Sequence, residues 1–282
     1  MLTAAQIQHF KQQGYLLLPG FKSALELAAV TARAHELVQA FAPGAQVSRF
    51  STRDRSLLAD AALLASAHAV QGFFEEEALD ANHQLRVPKS RSINKIGHAL
   101  HKLDPVFSAF SHGPALAELA AELGLQQPQL RQSQVIFKQP HIGGEVGWHQ
   151  DATFFFTTPQ TVTTFWFALE DATRDNGCLW LEPGGHRGPR GVLREQYTCH
   201  DGRLQMQPLD PTPWPDFTQA LALPVPAGTL VCFDGLLPHC SAANRSPRSR
   251  LAYTLHVTDG SARYSPLNWL QPGPSQTVWG LN

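Results

Sequence analysis

From about residue 129 the chain stops alternating at helical spacing. It breaks into short runs of β-branched and aromatic residues between Gly and Pro turns, at 134–138, 162–169, 178–181, 229–233 and 251–257. Many short strands at modest spacing fold as a sandwich or barrel. The sequence ahead of them is mostly helical. Thr3 with Gln6, and Ser23 with Glu26, are capping boxes that open helices over residues 3–13 and from 24 to about 41. Asp104-Pro105 caps another helix, and 114–123 is a further one stopped by Gly124. The expected fold is α+β, mainly β. One domain spans 1–282, with 1–128 a mostly helical flank and 129–282 the β core. Residues 92–98 are strand-like. Phe73 to Glu77, with three glutamates, suggests a solvated surface excursion, and 44–71 mixes short helix and loop.

Composition sets bounds. With 43% hydrophobic and 16% charged residues in 282, the chain has enough apolar material for a large core. A formal net charge of −1 gives no reason to expect nucleic acid or an anionic membrane as partner. No apolar run reaches membrane-spanning length, and the first residues lack the pattern of a signal peptide. Cys178, Cys199, Cys232 and Cys240 are scattered, which suits reduced thiols in a cytoplasmic protein. Nothing specifies an oligomeric state.

The chemistry gathers around Gly147 to Phe155. On an extended chain His149 and Asp151 point to one face while Trp148 and Gln150 point to the other. An imidazole and a carboxylate side by side are two-thirds of the facial triad that leaves open positions on a non-haem iron. His239, after a later β-run, can supply the third ligand. Residues 243–249 form a turn, so His239 and Arg250 are expected as neighbours on paired strands, with Ser241 on the face of His239. A planar guanidinium suits the far carboxylate of a dicarboxylate co-substrate, and a serine hydroxyl can donate to the same group. Each residue alone has a plainer reading: a buried histidine, a turn serine, a surface arginine.

Taken together, these motifs resemble the phytanoyl-CoA dioxygenase family of Fe(II)/2-oxoglutarate oxygenases. The residues that carry the resemblance are His149-x-Asp151, His239 with Arg250 eleven residues on, 92–101 and 137–140. The resemblance implies a double-stranded β-helix (jelly-roll) core with flanking helices. It implies Fe(II) held by His149, Asp151 and His239, and 2-oxoglutarate held by Arg250 and Ser241 with Lys95 and Trp166 lining the pocket. Gln134 stands where one branch of the family often has methionine and can hydrogen-bond the co-substrate. His98 and His101 read as core or surface histidines.

The activity so implied is hydroxylation of a small, partly apolar molecule, using O2 and 2-oxoglutarate and releasing succinate and CO2. Phe137, Phe154, Phe155 and Phe233 are expected pocket walls, and no Lys/Arg cluster is placed to receive the phosphates of coenzyme A. Two rivals use the same scaffold. A zinc hydrolase would need the three ligands but not Arg250 or Ser241. A non-catalytic binding module would need neither the metal nor its open positions.

Overall fold

The computed structural model describes residues 2–41, 49–50, 61–272 and 279–281. Local signals set the first elements. α1 (Ala4–Gln13) starts at the Thr3–Gln6 capping box and stops at Gly14, whose left-handed φ of 80° a residue without Cβ adopts at no steric cost. β1 (Tyr15–Leu18) follows. α2 (Ala24–Ala40) opens on the Ser23–Glu26 box and buries Leu27, Val30, Ala34 and Val38 along one face. Next come β2 (Arg49–Phe50), α3 (Ala61–Ala65), β3 (Val70–Glu75), β4 (Ile93–His98), α4 (Leu100–Leu103), α5 (Pro105–Ser111) and α6 (Pro114–Glu122).

The remaining strands are β5 (Pro128–Lys138), β6 (Val146–His149), β7 (Thr157–Thr158), β8 (Thr163–Ala168), β9 (Leu179–Leu181), β10 (Glu195–His200), β11 (Arg203–Pro208), β12 (Leu221–Leu223), β13 (Leu230–Asp234), β14 (His239–Ser241), β15 (Arg250–Asp259), β16 (Arg263–Tyr264) and β17 (Trp279–Gly280). A nine-stranded sheet runs β1-β13-β8-β15-β5-β4-β3-β2, with β17 also on β5. A four-stranded sheet runs β12-β9-β14-β6. The two lie face to face as a jelly roll, with Trp166, Val231, Phe233 and Ala252 of the large sheet packed with Leu179, Leu181, Ala222 and Leu223 of the small one.

Alternation along β15 shows how one strand serves two layers. Leu251, Tyr253, Leu255 and Val257 enter the apolar layer shared with α2, α5 and α6. Arg250, Thr254 and His256, on the other parity, face the cavity between the sheets.

Three expectations need correcting. Phe73, Phe74 and Glu75 are buried in β3, so 73–77 does not start as a surface excursion. The Glu75 carboxylate accepts a hydrogen bond from Asn94 at 2.8 Å. Phe137 packs in the helix-side layer and does not wall the cavity between the sheets. His239 and Arg250 are not on paired strands, because β14 pairs with β6 and β9 while β15 pairs with β5 and β8. The turn between them carries the chain from one sheet to the other. The first 128 residues also give β1 to β4 to the large sheet. No described helix is long and apolar enough to cross a membrane.

Candidate metal centre and its cavity

His149 closes β6 and His239 opens β14, and the two are direct partners across the antiparallel pair. Their rings lie 4.1 Å apart. Gln150 stays extended (φ −123°, ψ 133°), and Asp151 then begins a short 3₁₀ turn. Asp151 Oδ1 lies 3.6 Å from His149 Nε2 and 3.7 Å from His239 Nε2. Among the described residues these three form the one group of histidine, cysteine and acidic side chains whose ligand atoms converge, all within 4.8 Å of one another.

Both rings are oriented by the backbone. His149 Nδ1 donates to the Gly147 carbonyl at 2.9 Å, and His239 Nδ1 donates to the Leu237 carbonyl at 3.0 Å. A carbonyl only accepts, so each Nδ1 carries a hydrogen, and in the neutral ring each Nε2 presents a lone pair to the centre. Burial, and then the charge of His149, push His239 down to about 4, so it is neutral at neutral pH. Burial opposes the Asp151 charge, but the charges of His239 and His256 and hydrogen bonds from His149 and His256 outweigh it and hold the carboxyl well below its usual range. Burial also opposes charge on His149, yet the hydrogen bond and charge of Asp151 prevail and raise its pKa. The two histidines part because Asp151 accepts its hydrogen bond from His149, while His239 is lowered by burial and by the charges of His149 and His256. Two neutral or easily deprotonated imidazoles and an ionised carboxylate fit a divalent metal without rearrangement.

Gln150, between the ligands, is fully buried. Its amide nitrogen donates to the carbonyls of Val192 and Leu236 at 2.9 and 2.8 Å, and its oxygen accepts from the Arg194 backbone N–H at 3.0 Å. It ties β6 to the loop before β14 and to the base of the β10–β11 hairpin.

All eight residues expected at the site line one cavity of about 210 Å³: His149, Asp151, His239, Arg250, Ser241, Lys95, Trp166 and Gln134. Arg250 reaches it from the large sheet and is 2% exposed. Its Nε donates to the Gly177 carbonyl at 3.1 Å, its Nη1 has no hydrogen-bond partner, and no described carboxylate pairs with it. Burial lowers its pKa to about 10. Gly177 lets its loop approach the segment after β14: its φ is +88°, and a Cβ there would sit 2.7 Å from the Ala242 carbonyl oxygen. The Trp166 ring centre is 5.6 Å from the guanidinium carbon. Ser241 is buried at the end of β14, held by Lys138, whose ammonium donates to the carbonyls of Gly144, Ser241 and Ala242. Lys95 lies over the Phe73 ring at 5.1 Å, and burial lowers its pKa to about 7.

Several cavity residues escaped sequence reasoning. Thr164 and His256 both approach Asp151. Their strands are legible as the runs 162–169 and 251–257, and counting by twos from Trp166 and from Arg250 reaches both. Glu195, Tyr197 and Met206 come from the β10–β11 hairpin and Trp269 from the segment after β16. No local pattern announces them. His98 also reaches the wall, with Nδ1 2.8 Å from Ser66 Oγ, whereas His101 is interior and bound to Ser133.

The family model "Phytanoyl-CoA dioxygenase (PhyH)" matches residues 10–252. The chain belongs to the phytanoyl-CoA dioxygenase family. Phytanoyl-CoA dioxygenase 1 of Oryza sativa subsp. japonica is 43% identical over 273 residues, 96% of this chain and 94% of the rice protein. Phytanoyl-CoA dioxygenase domain-containing protein 1 of Bos taurus is 42% identical over 281 residues, covering 97% and 96%. Among solved structures, the non-haem α-ketoglutarate-dependent carbocyclase SnoK of nogalamycin biosynthesis aligns with TM-score 0.66 at 20% identity, over 94% of this chain and 87% of that one. EctD from S. alaskensis, with 2-oxoglutarate and 5-hydroxyectoine, aligns with TM-score 0.61 at 23% identity, over 99% and 83%. At these identities the likeness to SnoK and EctD is one of fold, and family membership rests on the model match and the close relatives.

Proposed function

We propose that this protein is an Fe(II)- and 2-oxoglutarate-dependent dioxygenase that hydroxylates a small, partly apolar molecule, with His149, Asp151 and His239 as its metal ligands. One observation carries the reading. Three ligand atoms converge in the same cavity as a buried arginine whose Nη1 has no partner. A buried unpaired guanidinium N–H is unfavourable unless an anion arrives to meet it. A zinc hydrolase has no use for that arginine.

When bound, iron with 2-oxoglutarate and O2 supplies the oxidant for a C–H bond, with succinate and CO2 as co-products. The chain's own residues do the rest. Arg250 takes the far carboxylate of 2-oxoglutarate, Ser241 donates to the same group, and Trp166, Lys95 and Gln134 wall that end of the cavity. Toward the hairpin, Leu63, Phe154, Phe155, Tyr197, Met206 and Trp269 form an apolar surround that excludes water and receives the substrate. The helices share one apolar layer with the large sheet, which favours a single domain. Four free cysteines suit a cytoplasmic setting.

The test is an anaerobic titration of the metal-free protein with Fe(II) and then 2-oxoglutarate, following the visible metal-to-ligand charge-transfer band. The band forms with wild type and is lost in His149→Ala and Asp151→Ala, which stay folded by circular dichroism. A wild-type protein that gives no band and retains zinc on purification points to the hydrolase instead.

A further inference from the structure

Asp151 turns its two oxygens to two different sheets. Oδ1 faces the Nε2 atoms of His149 and His239, both from the small sheet. Oδ2 faces the large sheet. It accepts a hydrogen bond from Thr164 Oγ at 2.5 Å and lies 3.4 Å from His256 Nε2. Thr164 on β8 and His256 on β15 are direct cross-strand partners, so one rung of the large sheet presents both groups to one oxygen. Both side chains are buried. The His256 ring is stacked on Phe155, with centroids 4.9 Å apart and planes 28° from parallel, which fixes its orientation.

The other nitrogen of His256 explains little by itself. Nδ1 is buried and has no hydrogen-bond partner. A phenyl ring would stack on Phe155 as well without burying an unsatisfied nitrogen. The imidazole makes sense for its Nε2, and the acceptor beside that atom is Asp151 Oδ2.

We infer that His256 and Thr164 are positioning residues that hold Asp151 by Oδ2 and leave only Oδ1 for the metal. The inference rests on the iron-site reading proposed above. Its consequence is a count of positions. An iron held by three protein atoms would keep its remaining places for 2-oxoglutarate and O2. A carboxylate free to turn and bind through both oxygens would occupy one of them. Holding Oδ2 from the opposite sheet keeps that place open, and it fixes the carboxylate before any metal arrives.

The test uses the full-length metal-free protein and Co(II) as probe, with affinity by calorimetry, the visible d–d spectrum, and the melting temperature. Wild type, His256→Phe, Thr164→Val, Thr164→Ser and His149→Ala are compared. His256→Phe and Thr164→Val should each bind Co(II) roughly 10–100-fold more weakly, the range for lost outer-shell partners of metal ligands. Their spectra should change, because the carboxylate is no longer held. Thr164→Ser keeps the hydroxyl and should restore wild-type affinity and spectrum. The metal-free His256→Phe protein should melt at or above the wild-type temperature. Wild-type affinity and spectrum in both His256→Phe and Thr164→Val would overturn the inference and leave the iron-site reading standing. So would weaker binding that only follows a fall in melting temperature, since that marks a general packing role. If wild type and His149→Ala bound Co(II) alike, the iron-site reading would fall and take this inference with it.

Discussion

At the scale of single residues, Arg250 and Lys95 are the two basic groups proposed to meet 2-oxoglutarate. Arg250→Ala should weaken 2-oxoglutarate binding by roughly 1.5–3 kcal/mol for each charge-assisted bond lost, seen as a shift in the charge-transfer titration. Arg250→Lys should recover only part, because a point charge cannot reproduce a planar fork. Lys95 makes a pH prediction. Burial lowers its folded pKa to about 7 from an unfolded value near 10.5. Between those values the unfolded chain binds the extra proton, so the contribution of Lys95 to stability rises with pH from about 7 to 10.5. The group facing it is His98, also held neutral by burial. A bound dianion favours the ammonium, so 2-oxoglutarate binding at pH 8 should take up a proton. Calorimetry in buffers of different ionisation enthalpy measures that uptake, and Lys95→Met should abolish it. These residues were legible because their chemistry is particular: a His-x-Asp, a later histidine, an arginine opening a strand. Thr164 and His256 are ordinary strand residues in sequence, and only the large sheet's register brings them to Asp151.

At the scale of elements, the metal-binding strand is only as well placed as its neighbours. Gln150 makes three buried hydrogen bonds, to Val192, Leu236 and Arg194, from between two ligands. Gln150→Leu leaves two carbonyls and one N–H unpaired, and each such group costs about 1–3 kcal/mol. Urea unfolding should show a loss of at least about 3 kcal/mol, and a silent variant would mean the loops hold themselves. Capping boxes told where α1 and α2 start, because a cap is a local bargain between residues three apart. Pairing is not local. β14 and β15 follow one another in the chain yet lie in different sheets, and no residue between them announces the crossing. Glu76 and Glu77 are exposed as a run of glutamates suggests, but Glu75 is not: a glutamate suggests water until its acceptor finds Asn94 in the interior.

At the scale of the whole molecule, the site is built before the metal comes. Backbone carbonyls hold both histidine rings and Thr164 holds the aspartate, so chelation should leave circular dichroism and cooperative melting intact. Losing a metal held at a hundred times its Kd removes about 2.7 kcal/mol, or a melting shift of about 5 °C. Complete unfolding on chelation would contradict this. The order of the large sheet also governs how the protein is made. β15, the last long strand to be synthesised, lies between β5 and β8. The ends of β8 and β5 precede the end of β15 by 91 and 121 residues (259 − 168 and 259 − 138), so at ribosomal speeds of roughly 5–20 residues per second the two strands wait about 5 to 25 seconds without their shared partner. Two long unpaired edges stand open for that interval, each a template for a neighbouring nascent chain. A ribosome stalled just short of Arg250 would therefore hold no partial enzyme, only a sticky half-sheet that depends on chaperones until its centre arrives.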